Sequence, residues 1–185
     1  MTIEAVEKAM TIPGWLLRVE AEWLYDAAAG MKSILEIGSW MGRSTYVLCS
    51  ACKGIVVAVD HFLGSPEHQD LIRAGQNPLV NFLANVGHFE NLIALKIPSE
   101  IAAAIVCMPR SFDMVFIDGA HEYEDVIADL NLWGMRAQTL LCGHDGNYKS
   151  IERALAERFP DRRPEKVPGT TLWFYRMEAK NETTA

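Results

Sequence analysis

The sequence predicts an α/β fold, with a mostly parallel central sheet, an antiparallel C-terminal edge strand and helices on both faces. Three observations carry this. Short runs rich in β-branched residues, ILEI, IVVAV and MVFI, have the length and continuous apolar character of strands buried on both sides. Longer helical patterns alternate with them, the order that βαβ units require. The last run, 171–176, instead alternates along its length as an antiparallel edge strand does.

Taken in order, residues 13–29 are expected to form one amphipathic helix with Trp15, Leu16, Val19, Trp23 and Leu24 on one face. Strands are expected at 33–37, 55–59, 92–95, 113–117, 139–142 and 171–176, with helices between them. The connection 61–76, which holds Gly64, Pro66 and Gly75, is too long for a plain strand-to-helix turn and has the character of an active-site lid. The chain is expected to be a single domain over 1–178, with a disordered polar tail at 179–185.

Composition narrows the function. A chain of 185 residues that is 50% hydrophobic can bury one sizeable core but leaves little room for a second domain. Its net charge of −7 argues against a nucleic-acid surface, which needs clustered Lys and Arg. The N-terminal MTIEAVEKAM has no long apolar run, so neither a signal peptide nor a membrane span is expected and the protein is expected to be cytoplasmic. Cys49, Cys52, Cys107 and Cys142 fall inside apolar patterns and are read as reduced core residues. A small-molecule substrate is the expected partner, and a homodimer is left open.

The densest signal is ILEIGSWMGRST. Ile34, Leu35 and Ile37 form a strand, Glu36 sits near its end, and Gly38 and Gly42 allow a tight turn whose N–H groups face an anion. The G-x-G-x-x-G of a dinucleotide site and the lysine of a P-loop are both absent. One strand later, IVVAVD ends in Asp60; further on stand FDMVFIDGAHEYEDVIADLNLW and LLCGHDGNYKSIERAL. Together these segments resemble class I S-adenosylmethionine-dependent methyltransferases, a Rossmann-like methyltransferase fold. They are most similar to the subgroup holding metal-dependent macrolide-sugar and catechol O-methyltransferases and cephalosporin hydroxylase-like proteins.

That resemblance implies S-adenosylmethionine as cofactor, held by Glu36, Gly38, Ser39, Gly42, Asp60, His61, Phe62, Ser99 and Asp118. Asp60 would take the ribose hydroxyls, Ser99 would meet adenine, and Phe62 would either stack on adenine or pack beneath the lid. It also implies a divalent metal, magnesium or manganese, on Asp118 and Asp145. This chain departs from the subgroup by having His144, Asp145, Gly146 and Asn147 where an acid pair or an Asp-Asn pair is usual. His144 or Asn147 would therefore complete the ligands, and an imidazole favours manganese, iron or zinc. A metal-free enzyme with His121 or His144 as base stays open. Asp118, His121 and His144 form the catalytic set. Glu122, Glu124, Asp125 and Asp129 are expected on the solvent face of a helix.

The expected activity is methylation of a hydroxyl on a small molecule: a sugar, a phenol or a natural-product precursor. The alternatives are a cephalosporin-hydroxylase-like enzyme on the same scaffold and a cofactor-binding scaffold subunit without catalysis.

Overall fold

The computed structural model describes residues 2–105 and 111–177; Cys107 and the tail expected at 179–185 lie outside the described residues. In chain order the elements are α1 (Thr2–Ala9), α2 (Arg18–Ala28), β1 (Ser33–Ile37), α3 (Arg43–Ala51), β2 (Ile55–Asp60), α4 (Gln69–Arg73) and α5 (Pro78–Val86). They continue as β3 (Leu92–Lys96), α6 (Ser99–Ile105), β4 (Phe112–Ile117), α7 (Tyr123–Trp133), β5 (Ala137–Gly143), α8 (Lys149–Arg158), β6 (Glu165–Lys166) and β7 (Trp173–Arg176). One sheet joins the strands in the order β3-β2-β1-β4-β5-β7-β6. β1 to β5 pair in parallel, whereas β7 runs antiparallel to both β5 and β6.

Side-chain alternation along the strands divides the core in two. Ile34, Val56, Met114, Phe116 and Cys142 pack against α1, α2 and α3. Leu35, Val57, Val115, Ile117 and Leu141 turn to the other face, under α6, α7 and α8. Both faces are therefore dry, which explains why the strands read as unbroken apolar runs. Each large side chain removed from water there contributes about 1.5–3 kcal/mol before chain entropy is subtracted. Cys49, Cys52 and Cys142 are buried free thiols within these layers.

The helix expected at 13–29 is shorter. α2 begins only at Arg18, and Trp15, Leu17 and Val19 are exposed; the buried stripe is Glu20, Ala21, Leu24 and Ala28. A loop precedes it because Arg43 donates hydrogen bonds to the carbonyls of Ile12 (2.7 Å) and Leu16 (2.8 Å), holding 12–16 against the start of α3. α1 was not expected; it buries Val6 and Ala9. No helix among the described residues is long and apolar enough to cross a membrane.

Candidate active site

The carboxyl ends of the parallel strands gather the candidate residues, as an open parallel sheet requires. Three non-glycine residues there hold positive φ: Trp40 after β1, Phe62 after β2 and Asp145 after β5. Local backbone strain of this kind concentrates at functional loops. Gly38 is required twice over, by its φ of +84° and by the Asp118 carbonyl oxygen, which would lie 2.1 Å from any Cβ added there. Gly42 (φ +94°) faces Phe82 and Val86 of α5, so it shapes the turn without touching the cavity.

The N–H groups after β1 meet an anion inside the protein. Ser39 and Trp40 both donate to Asp60 Oδ2 at 2.8 Å, Gly38 donates to the Val59 carbonyl at 2.9 Å and Gly42 to the Ser39 carbonyl at 2.8 Å. The Phe62 N–H donates to Asp60 Oδ1 at 2.5 Å. Asp60 thus buckles the β1 and β2 loops together. Its carboxylate, with 13% of the side-chain surface exposed, lines a cavity of about 530 Å³.

Gly38, His61, Ser99 and Asp118 also line that cavity, together with Gly64, Ser65 and His68 from the long 61–76 connection. His68 stacks at its mouth between Trp40 (4.1 Å) and Trp15 (4.6 Å). Besides Gly42, three of the expected cofactor residues are elsewhere. Glu36 is fully buried under the loop, accepting from Thr45 Oγ1 at 2.5 Å; burial pushes it up to about 7 despite the hydroxyls around it. Ser39 is 2% exposed beside it. Phe62 packs on Phe82, ring centroids 5.0 Å apart, beneath the lid rather than on the cavity wall.

Asp118, Gly119 and Ala120 line both this cavity and a smaller hollow that holds His121, His144 and Asp145. His121 Nε2 is 2.8 Å from Asp145 Oδ2, and the His121 ring stacks on Tyr148. His144 Nδ1 is 3.1 Å from the same Asp145 oxygen and 3.7 Å from Asp118 Oδ1, while its Nε2 is 3.0 Å from Glu20 Oε2. Burial opposes a charge on His144, but its hydrogen bonds to Asp145 and Glu20 outweigh burial and raise it to about 11. As an imidazolium it has no lone pair to accept a proton, which disfavours the base role left open for it. Burial raises Asp118 to about 7, against the pull of His144. Asp145 goes the other way: burial raises it, yet the two histidines hold it well below the usual carboxylate range.

One ligand atom each from Asp118, His144 and Asp145 lie within 4.8 Å of one another. Two carboxylates and an imidazole backed by the Glu20 carboxylate form a donor set that fits a divalent cation. Asn147, expected as a further ligand, is exposed and lines neither hollow.

A family model described as "Methyltransferase domain" matches residues 35–145, from β1 to the Asp145 loop. The chain belongs to this methyltransferase family. Solved structures share its fold. An O-methyltransferase from Bacillus cereus in complex with SAH superposes with a TM-score of 0.63 at 17% identity, covering 94% of this chain and 88% of that one. The O-methyltransferase TomG from Streptomyces achromogenes, in complex with SAM, gives 0.62 at 13% identity over 95% and 89%. A cofactor-bound protein from MTB, Rv0187, gives 0.67 at 17% identity over 96% and 88%.

In this methyltransferase, sequence reasoning missed Glu20 and misplaced Asp129. Asp129 is 8% exposed and lines the cavity instead of facing solvent, whereas Asp125, which also lines it, is exposed as expected. The signal was present: Asp125, Ala128, Asp129 and Leu132 are spaced i, i+3, i+4, i+7 and all line the cavity. Glu20 left a similar trace, as one acid within the stripe Glu20, Ala21, Leu24, Ala28.

Proposed function

We propose that this methyltransferase moves the methyl group of S-adenosylmethionine to a hydroxyl oxygen of a small acceptor. The observation that carries the cofactor is the charge of the cavity. Asp60, Glu100, Asp118, Asp125 and Asp129 line it, and among the described residues neither Lys nor Arg does. A sulfonium with an ammonium group suits that field, whereas a pyrophosphate is repelled by it. The β1 loop also spends its N–H groups on Asp60 and offers no phosphate cradle.

For the reaction, the acceptor oxygen attacks the methyl carbon in line, the carbon–sulfur bond breaks with its electrons passing to sulfur, and S-adenosylhomocysteine leaves. The hydroxyl proton goes to His121. Asp145 fixes that ring: the tautomer donating Nε2–H to Asp145 places the acceptor lone pair on Nδ1. The protein supplies alignment and water exclusion, the largest part of such a barrier reduction. Asp118, Asp145 and His144 would hold a divalent cation, which lowers the pKa of a bound hydroxyl. Its binding would release the His144 Nδ1 proton while Nε2–H stays on Glu20.

Release of S-adenosylhomocysteine in the presence of sugars, phenols and natural-product precursors tests the activity; no turnover with tight cofactor binding would favour the scaffold reading. Calorimetry is expected to show binding of S-adenosylhomocysteine, weakened by roughly 2–3 kcal/mol in Asp60→Ala through lost hydrogen bonds to a charged acceptor. Binding of NAD with neither sulfur nucleoside would overturn the cofactor. For the cation, turnover is expected to fall in chelator and return with manganese, and Asp118→Asn should weaken manganese binding. Full turnover after chelation rules the cation out.

A further inference from the structure

His121 stands in the connection between β4 and α7, outside either element, and one short segment holds it at three points. Asp145 Oδ2 meets its Nε2 at 2.8 Å, and the Tyr148 ring stacks on the imidazole with centroids 5.0 Å apart and planes 17° from parallel. Ser150 Oγ donates to the His121 carbonyl at 2.6 Å. All three contacts come from residues 145–150, the passage from β5 into α8.

That passage is itself fixed. The Tyr148 N–H donates to the Asp145 carbonyl at 2.9 Å, closing a turn whose two ends both reach His121. The last strand and the residues before it pin the turn from behind: Gly146 N–H donates to the Thr171 carbonyl at 2.8 Å, and Trp173 Nε1–H donates to the His144 carbonyl at 3.0 Å. A Cβ on Gly146 would stand 2.9 Å from the Trp173 ring, so the approach is close.

Tyr148 is 46% exposed, and burial explains little of a large aromatic at this position. Its geometry explains more. A hydrogen bond at Nε2 constrains one edge of the His121 ring, whereas a flat neighbour lying parallel on its face constrains the plane. Both constraints are needed to aim Nδ1, the atom opposite the Asp145 contact.

We propose that Tyr148 is a positioning residue for methyl transfer: its ring, stacked on His121, holds the imidazole plane so that Nδ1 faces the acceptor hydroxyl. This rests on His121 as the base in the reading above. The stack depends on a flat ring and not on the phenol oxygen, so phenylalanine replaces tyrosine while leucine and alanine do not.

Two measurements on Tyr148→Phe, Tyr148→Leu and Tyr148→Ala test it. The first needs no acceptor: NMR of the histidine ring protons in protein saturated with S-adenosylhomocysteine, the His121 signals being identified by their loss in His121→Gln. Wild type and Tyr148→Phe should show these protons shifted upfield by the stacked ring, and Tyr148→Leu and Tyr148→Ala should lose the shift. The second is turnover of the acceptor found by the S-adenosylhomocysteine release assay. Leucine and alanine should lower kcat by roughly 10- to 100-fold, the scale of a misplaced catalytic group, with acceptor KM and S-adenosylhomocysteine affinity nearly unchanged. Tyr148→Phe should restore kcat. Leucine keeps apolar bulk at the position, which separates the stack from simple packing. A raised KM with kcat intact makes Tyr148 an acceptor contact and overturns the proposal. An unshifted wild-type ring overturns it as well, as does equal loss of kcat in Tyr148→Phe or wild-type kcat in the other two. Wild-type protein that turns over no acceptor overturns the methyl-transfer reading, and the catalytic role of Tyr148 with it, while the ring shift still decides the stack.

Discussion

Replacing Glu20 by alanine is expected to destabilise the fold by about 3–5 kcal/mol, the loss typical when one partner of a buried ion pair is removed. Glu20 is fully buried and its carboxylate is saturated: Leu17 N–H at 2.8 Å, Thr171 N–H at 2.9 Å, Thr171 hydroxyl at 3.1 Å and His144 Nε2 at 3.0 Å. Alanine orphans all four donors and leaves an imidazolium in the core with a partner on one side only. Urea unfolding of chelator-treated protein measures the loss, and a change below about 1 kcal/mol, the size of an ordinary surface substitution or less, would refute the pairing. The pH dependence has a definite sign. Burial raises Glu20, but the hydrogen bonds from His144, Leu17 and Thr171 win and bring it from 4.5 down to about 2. Its contribution is complete above pH 4.5 and disappears as pH falls toward 2. His144, raised from 6.5 to about 11, contributes fully below pH 6.5 and loses its share as pH rises toward 11. The gap between wild type and Glu20→Gln should therefore be widest between pH 4.5 and 6.5.

The same pair shows what the sequence could and could not reveal. The parallel strands were legible because burial on both faces leaves one unbroken apolar signal per strand, as in Val56, Val57, Ala58 and Val59. β6 was not, since two residues, Glu165 and Lys166, are too few to carry a period. The start of α2 was misread because Trp15 and Val19 fit a helical stripe by hydrophobicity, yet they are 55% and 45% exposed. Arg43, from another part of the chain, fixes where the loop ends.

At the site, Asp60, Asp118, His121 and Asp145 were legible because each follows a strand whose end could be located. Glu20 was hidden for a different reason: its partner His144 lies 124 positions away, a distance no local pattern spans. Asp129 was hidden by habit, since an acid on a helix with acidic neighbours is normally solvated. Only the spacing with Ala128 and Leu132 marked it as inward. Glu36 was named in the glycine motif as a cofactor residue but sits under Thr45, and of the two readings open for Phe62 the packing one holds, against Phe82.

His121→Ala is expected to lower turnover by about 100- to 10,000-fold while cofactor affinity stays nearly intact, the signature of a lost general base. The separation follows from placement. His121 lines the smaller hollow beyond Asp118 and is absent from the wall of the large cavity, so its ring is not among the groups that would hold the nucleoside. Its support is also distinct from that of His144. His121 has 27% of its side chain exposed, whereas His144 has 7% and is held by carboxylates at both ring nitrogens. The wild-type rate is expected to rise with pH as the general base gives up its proton, and that limb should vanish in His121→Ala. Asp145→Asn should lower turnover as well, because the ring loses the carboxylate that sets its tautomer and steadies the imidazolium formed as the methyl moves. Steady-state rates across pH, with S-adenosylhomocysteine affinity measured on the same preparations, decide the assignment. Turnover close to wild type in His121→Ala, with the pH limb still present, would remove His121 as the base and favour an acceptor hydroxyl that loses its proton to water, its acidity raised by a cation that Asp118 and Asp145 would hold.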